Sequence, residues 1–154
     1  MDIPTLAKYL AKWKLTLTSA ESLTSGTFQT HLAATPEAHD IYPGGFITYA
    51  TEAKTKILGV PETVIDKCGV VSEEVAKKMA QQARKLAGTH FALGFTGAGG
   101  PTPLNGEPVG TVCIGVADRN TSIAKTYHFK GDPESIMAQS RQAGVDLLVS
   151  YLAI

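Results

Sequence analysis

Cysteine pairs and metal-ligand spacing are both lacking in this sequence. The two cysteines, Cys68 and Cys113, form no C-x-x-C pair, and the four histidines are scattered without the spacing of metal ligands. The first residues contain no basic segment followed by an apolar signal core. We therefore expect a protein of the reducing cytoplasm with no metal site.

Excess charge of one sign is also absent. Lys+Arg and Asp+Glu each number 14, and no run of like charges stands out. Proteins that bind a phosphate backbone or an anionic membrane usually carry a basic patch, so we expect neither nucleic acid nor a membrane as a partner. No apolar run approaches the roughly 20 residues that span a bilayer as a helix.

The composition that remains is ordinary for a globular protein. Hydrophobic residues make up 44% of the chain and charged residues 18%, which excludes disordered and collagen-like classes. With 154 residues, the chain has the size of a single domain and can bury a useful core. We therefore predict one domain that covers residues 1–154.

Apolar residues alternate between helical and strand periodicity along the chain. The predicted helices cover residues 6–13, 28–35, 51–59 and 72–88 and the segment from Asp132 onward, and the predicted strands cover residues 15–18, 46–49, 91–95, 109–116 and 123–129. The last two strands resemble a hairpin around residues 118–120. This order predicts a layered α/β/α domain with a mixed, mainly parallel sheet.

Familiar nucleotide and hydrolase motifs are missing. The loop around Gly97 and Gly99 has threonine at position 102, where G-x-G-x-x-G requires glycine, and no Walker A lysine follows. There is also no G-x-S-x-G sequence. A dinucleotide-binding fold, a P-loop and an α/β-hydrolase elbow are therefore not predicted.

Three polar loops follow predicted strands, where ligands collect in layered α/β folds. They are residues 19–26, 49–54 and 96–103. In the first loop, Ser22, Thr24 or Ser25 could simply cap the following helix, which is the more common role for such residues. Alternatively, a serine beside free main-chain amides could act as a nucleophile, provided that a base activates it.

The base would have to be a lysine, because no histidine lies in a polar loop. Lys54 fits best, since it follows Tyr49 by about one helical turn, although a solvated helix lysine is the ordinary alternative. The third loop, rich in glycine and proline, could be a flexible turn or a site for an anion, and the residues alone favour neither interpretation.

Five ordered segments resemble the CinA C-terminal domain family. They are residues 19–26 (SAESLTSG), 49–60 (YATEAK and LGV), 69–80 (GVVSEEVAKKMA), 96–101 (TGAGGP) and 108–112 (PVGTV). The resemblance spans nearly the whole chain and leaves no room for the N-terminal domain of full-length CinA proteins. It therefore implies a stand-alone form.

The family's known activity is the deamidation of nicotinamide mononucleotide, an amide hydrolysis in pyridine-nucleotide recycling. The resemblance implies that Ser22 is the nucleophile, Lys54 its base, and Tyr49 a hydroxyl that positions or relays the proton. No cofactor is implied. The residues implied to bind the nucleotide substrate are Thr24, Ser25, Gly26, Thr96, Gly97, Gly99 and Gly100. Apart from the resemblance, Arg141 on the last predicted helix could pair with the nucleotide phosphate, although a surface arginine is the equal alternative.

Two positions depart from the family pattern in the first loop. Leu23 stands where cysteine is usual, and Ser25 stands where glycine is usual, which suggests a positive φ or a close substrate contact at position 25. Two other interpretations therefore stay open: a nucleotide-binding module without turnover, and a Ser-Lys hydrolase for another amide. A homodimer is expected from general frequency alone.

Overall fold

The computed structural model describes residues 1–154, which form seven helices and five strands. The helices are α1 (Ile3–Lys12), α2 (Thr27–Ala33), α3 (Ala38–Ile41), α4 (Thr51–Lys56), α5 (Glu62–Cys68), α6 (Glu73–Ala87) and α7 (Pro133–Leu152). The strands are β1 (Leu17–Glu21), β2 (Phe46–Ile47), β3 (Phe91–Gly97), β4 (Thr111–Ala117) and β5 (Ser122–His128).

Short polar side chains start the three longest helices. The side chains of Asp2, Ser72 and Asp132 each accept a hydrogen bond from the main-chain amide three residues later. These bonds satisfy donors that the first turn of a helix leaves unpaired. The structure thus confirms the predicted starts of α6 and α7.

The sheet has the strand order β2-β1-β3-β4-β5. β1 pairs in parallel with β2 and β3, whereas β4 pairs antiparallel with both β3 and β5. Four strands therefore point the same way and only β4 is reversed. The predicted mixed, mainly parallel sheet and the late hairpin are both confirmed.

Helices cover both faces of the sheet, and each face has its own apolar core. One core joins β3 and β4 to α1, α2 and α7, and the other joins the opposite face to α5 and α6. This arrangement is the predicted α/β/α layering. Because helices cover both of its faces, β1 is buried along its whole length.

The α6 helix approaches the sheet closely at two neighbouring glycines. Gly94 on β3 and Gly115 on β4 are paired in the register, and a methyl group at either position would collide with the main chain at Ala76. Only glycine leaves room for this contact. This close contact sets the distance between α6 and the centre of the sheet.

Several predicted boundaries were wrong. The first strand covers Leu17–Glu21 instead of residues 15–18, because its uniform burial removes the alternation that marks a half-exposed strand. The predicted strand at residues 46–49 is reduced to Phe46–Ile47 at the sheet edge, and α3 and α5 were not predicted. None of the helices has the length and apolar character needed to cross a membrane.

Candidate active site

A pocket of about 360 Å³ opens at the carboxyl ends of β1 and β3, beside the segment that follows β2. Its wall comes from the three loops that the sequence placed at this edge. The lining residues are Ser22, Leu23, Tyr49, Ala50, Thr51, Gly97, Gly99, Gly100, Thr102, Pro103 and Leu104. The parallel pairing of β1 with both neighbours brings these loops together.

Ser22 lines this pocket, and Lys54 contacts it from the protein interior. Lys54 Nζ lies 2.8 Å from Ser22 Oγ and 2.8 Å from the carbonyl oxygen of Thr48. The Lys54 side chain is only 1% exposed, and Ser22 is 6% exposed. The fold therefore joins a hydroxyl and an amine that are 32 positions apart in the sequence.

Burial changes the acid-base properties of Lys54. Desolvation lowers the pKa of its ammonium group from the ordinary 10.5 to about 8, although the carboxylate of Glu52 acts in the opposite direction. At pH 7 about a tenth of the molecules would then carry a neutral amine at this position. A neutral amine can accept a proton, which is the property that the sequence analysis required of a lysine base.

Tyr49 contributes to the site through its main chain. Its carbonyl oxygen accepts a hydrogen bond from Ser22 Oγ at 3.1 Å and a longer one from Lys54 Nζ at 3.4 Å. The Tyr49 side chain is 67% exposed and stands in the pocket wall. The proton-relay role expected for its hydroxyl stays a prediction.

The turn that carries Ser22 has the left-handed backbone suggested by the family pattern. Ser25 has a φ of 44° and Gly26 a φ of 93°. Gly26 occupies the cap position of α2, and no side chain caps that helix from there. The interpretation of Ser22, Thr24 or Ser25 as an ordinary helix cap is therefore wrong.

Glu21, which the sequence analysis did not assign, holds this turn from inside the protein. Its side chain is fully buried, and its carboxylate accepts hydrogen bonds from the amides of Phe28 and Gln29 and from the hydroxyl of Ser19. These bonds link the end of β1 to the first turn of α2. A buried carboxylate requires such partners. The sequence signal that could have identified this role was the position of Glu21 directly before Ser22.

Five of the predicted substrate-binding residues lie outside the pocket wall. They are Thr24, Ser25, Gly26, Thr96 and Arg141. Thr24 is fully buried and its hydroxyl has no hydrogen-bond partner, whereas Ser25 is exposed. Thr96 donates to the carbonyl oxygen of Val70 at 2.7 Å. Arg141 donates to Thr27 Oγ1 at 2.9 Å, at the start of α2. The phosphate contact expected for Arg141 stays a prediction.

Gly97, Gly99 and Gly100 lie in the wall as the resemblance implied. Gly99 is adjacent to Leu23, because a methyl group built on Gly99 would lie 3.2 Å from Leu23 Cβ. The third loop thus closes over the turn that carries Ser22. Nowhere in the structure do three or more His, Cys, Asp or Glu side chains gather in a metal-binding arrangement.

Comparison with known proteins gives a match over nearly the whole chain. The family model of the CinA C-terminal domain matches residues 3–152. The chain belongs to the CinA C-terminal domain family. A Lactiplantibacillus plantarum protein that carries the name competence-damage inducible protein is 45% identical over 147 residues, covering 95% of this chain and 35% of the relative. The chain thus spans about a third of the length of the curated relatives that it matches.

Solved structures of CinA proteins share the fold. A competence damage-inducible protein A from Klebsiella pneumoniae superposes with a TM-score of 0.94 at 30% identity, covering 98% of this chain and 94% of that one. A CinA superfamily protein from Escherichia coli has a TM-score of 0.90 at 34% identity, covering 95% and 86%. The CinA fold therefore extends over nearly all of this chain.

Proposed function

We propose that this CinA-family chain is an amidohydrolase that converts nicotinamide mononucleotide to nicotinate mononucleotide and ammonia. The observation that carries the proposal is the 2.8 Å contact between the buried Lys54 Nζ and the Oγ of Ser22, which lines the pocket. Family membership supports the choice of substrate, because this deamidation is the activity that the resemblance implied.

The first half of the reaction transfers the acyl group to the protein. Neutral Lys54 takes the proton of Ser22, and Ser22 Oγ forms a bond to the carboxamide carbon while the carbonyl electrons move to oxygen. When the tetrahedral centre collapses, the C–N bond breaks and the proton held by Lys54 passes to the leaving amine. Ammonia departs, and an ester between nicotinate mononucleotide and Ser22 remains.

The second half restores the serine. Lys54 accepts a proton from water, and the resulting hydroxide attacks the ester carbon. The acid product leaves as Ser22 regains its proton from Lys54. In the structure Lys54 Nζ donates to Ser22 Oγ, as the ammonium form does, and Ser22 Oγ donates to the carbonyl oxygen of Tyr49. The carbonyls of Thr48, Tyr49 and Ala50 surround Nζ at 2.8 to 3.5 Å, so the N–H groups of a neutral amine keep acceptors when its lone pair turns to Ser22.

The experiment that tests this proposal follows ammonia and nicotinate mononucleotide together in the parent protein and in Ser22→Ala and Lys54→Ala. We expect both products to appear in equal amounts and both variants to lose at least about 1000-fold in turnover. Ser140→Ala, which changes a buried serine on α7, is the matched control. A folded parent that releases neither product would contradict the proposal.

One observation favours a second candidate, a Ser-Lys hydrolase for an amide that carries no phosphate. No residue of the pocket wall carries a charged side chain, so no cation on the wall is placed to pair with a phosphate. A comparison of nicotinamide mononucleotide with its riboside separates the two candidates. Equal or faster turnover of the riboside would favour the second one. Tight mononucleotide binding without any turnover would instead indicate a binding module.

A further inference from the structure

The turn after β1 contains two sets of main-chain amides, and one set is already occupied. Phe28 N donates to Glu21 Oε1 at 3.1 Å, and Gln29 N donates to Glu21 Oε2 at 3.0 Å. Thr27 N donates to the carbonyl oxygen of Thr24 at 2.9 Å. The first turn of α2 therefore has no amide left for an anion, although helix starts commonly supply oxyanion donors.

The second set is free. The main-chain amides of Leu23, Thr24 and Gly26 make no hydrogen bond, whereas those of Ser22 and Ser25 are bonded to the carbonyls of Phe95 and Ser22. Among the three free amides of this turn, only that of Leu23 belongs to a residue in the pocket wall. Leu23 is only 6% exposed, and residues so buried seldom leave a main-chain amide unpaired in native proteins.

The third loop places further free amides opposite Leu23. Gly99 and Gly100 also donate no hydrogen bond, and both line the pocket. Gly99 is the nearer of the two to the turn, because a methyl group on it would lie 3.2 Å from Leu23 Cβ, whereas one on Gly100 would meet Val109. Glycine lets the main chain approach this closely.

Another part of the wall, residues 49–51, also has main-chain amides that donate no hydrogen bond, but it lies on the side of the base. Residues 48–50 direct their carbonyl oxygens at Lys54 Nζ, and the Tyr49 carbonyl also accepts from Ser22 Oγ. Carbonyl oxygens would repel an oxygen anion. The developing charge is therefore better placed between the nucleophile turn and the glycine loop, away from this segment.

We infer that the main-chain amides of Leu23 and Gly99 form the oxyanion site, and that Glu21 is the positioning residue that presents the first of them. The inference rests on the proposed function, since it names the donors for the oxygen that becomes negative when Ser22 attacks the amide carbon. Glu21 acts by holding α2 and β1 together on either side of the turn. Its carboxylate itself stays buried and occupied.

The direct test is nuclear magnetic resonance of the isotope-labelled parent protein with a pyridylboronic acid. A boronic acid forms a tetrahedral adduct with a nucleophilic serine and places a boron-bound oxygen where the oxyanion would be. We expect the amide protons of Leu23 and Gly99 to move downfield in the adduct, because they gain a charged acceptor, while those of Phe28 and Gln29 stay in place.

Each other outcome of this test overturns a defined part of the account. Downfield shifts at Phe28 or Gln29 without shifts at Leu23 and Gly99 would overturn the inference and leave Ser22 as the nucleophile. An adduct that shifts none of these four amide proton resonances would also overturn the inference and leave Ser22 as the nucleophile. A protein that forms no adduct, while Ser22→Ala behaves identically, would overturn the proposed function itself.

Two variants add an independent readout. Gly99→Ala inserts a methyl group against Leu23 and displaces the loop amide, so we expect kcat to fall about 100-fold with little change in KM. Glu21→Gln keeps the shape but loses the charge, so kcat should again fall more than KM, while the pH midpoint set by Lys54 stays unchanged. Ser140→Ala, on α7 and outside the pocket wall, is the control and should change neither kcat nor KM. A change in KM alone would overturn the assignment.

Discussion

Lys54 is the residue whose environment most directly predicts a measurable property. Because the proposed reaction requires the neutral amine, kcat/KM should rise with pH and level off above a midpoint at about 8. Desolvation produces this midpoint by disfavouring the ammonium form. A pH-rate profile of ammonia release checks it. A profile that is flat between pH 6 and 10, or that falls through pH 8, would contradict a lysine base.

Glu52 allows the cause of this midpoint to be tested separately. Its carboxylate stabilises the Lys54 ammonium and raises its pKa, so Glu52→Gln should lower the pKa and move the midpoint to lower pH. The same pH-rate profile measures the shift. Glu62→Gln, on the neighbouring helix α5, is the control and should leave the midpoint in place. An upward shift in Glu52→Gln would mean that another group titrates.

Ser25 adopts a positive φ that glycine would adopt without strain. Ser25→Gly relieves about 1 kcal/mol of backbone strain but increases the entropy of the unfolded chain, so the two effects nearly cancel. We expect the free energy of unfolding to change by less than about 0.5 kcal/mol. Ser25→Val, which is β-branched, should lose about 1 to 3 kcal/mol. Denaturant unfolding that shows equal stability for both variants would contradict this conformation.

At the scale of elements, the contact between α6 and the sheet depends on two glycines, Gly94 and Gly115. Gly115→Ala places a methyl group against the main chain at Ala76 and Lys77, which the packed helix cannot easily avoid. We expect a loss of about 1 to 3 kcal/mol in denaturant unfolding. Ile123→Ala, at a half-exposed position on β5, should cost less. Equal losses in the two variants would mean that α6 can move away without penalty.

The elements that the sequence predicted well are those with local signals. Ser72 with Glu73 and Glu74 marks the start of α6, and Gly88 in the left-handed conformation marks its end. β1 has no such signal, because its residues Ser19 and Glu21 are polar and would be expected at the surface, yet the fold buries them. Its true boundary depends on pairing with β2 and β3, which no sequence window contains.

The site shows the same division between local and fold-dependent information. Ser22, Lys54 and the glycine loop were predicted from their places after strands and from the family resemblance, and the structure brings them together. The main-chain contributions of Thr48 and Tyr49 could not be predicted, since any residue type has a carbonyl group. Glu21 lay within the quoted motif, but its partners Phe28 and Gln29 are identified only by the geometry of the turn.

At the scale of the whole molecule, the buried lysine should reduce stability in exchange for activity. The unfolded chain has an ordinary lysine pKa of 10.5, whereas the folded state lowers it to about 8, so the unfolded state binds more protons between these values. The destabilisation is therefore complete below about pH 8 and is relieved as the pH rises toward 10.5. Stability rises with pH in this range because folding disfavours the charged form of Lys54.

Lys54→Met tests this balance. We expect the variant to be inactive and, at pH 7, more stable than the parent by on the order of 1 kcal/mol, because it removes a buried charge while keeping the volume. The difference should shrink as the pH rises above 8. Chemical unfolding at pH 7 and pH 9.5 measures both values. A variant that is less stable at pH 7 would show that the hydrogen bonds of Lys54 outweigh its desolvation.

The most direct test of the central claim is mass spectrometry of the protein quenched during reaction with nicotinamide mononucleotide. The account predicts a covalent adduct, equal to the substrate less ammonia, on the peptide that contains Ser22. The adduct should be absent from Ser22→Ala and much slower to form in Lys54→Ala. Turnover of the substrate that continues in Ser22→Ala, with no adduct in the parent, would contradict a serine nucleophile activated by Lys54.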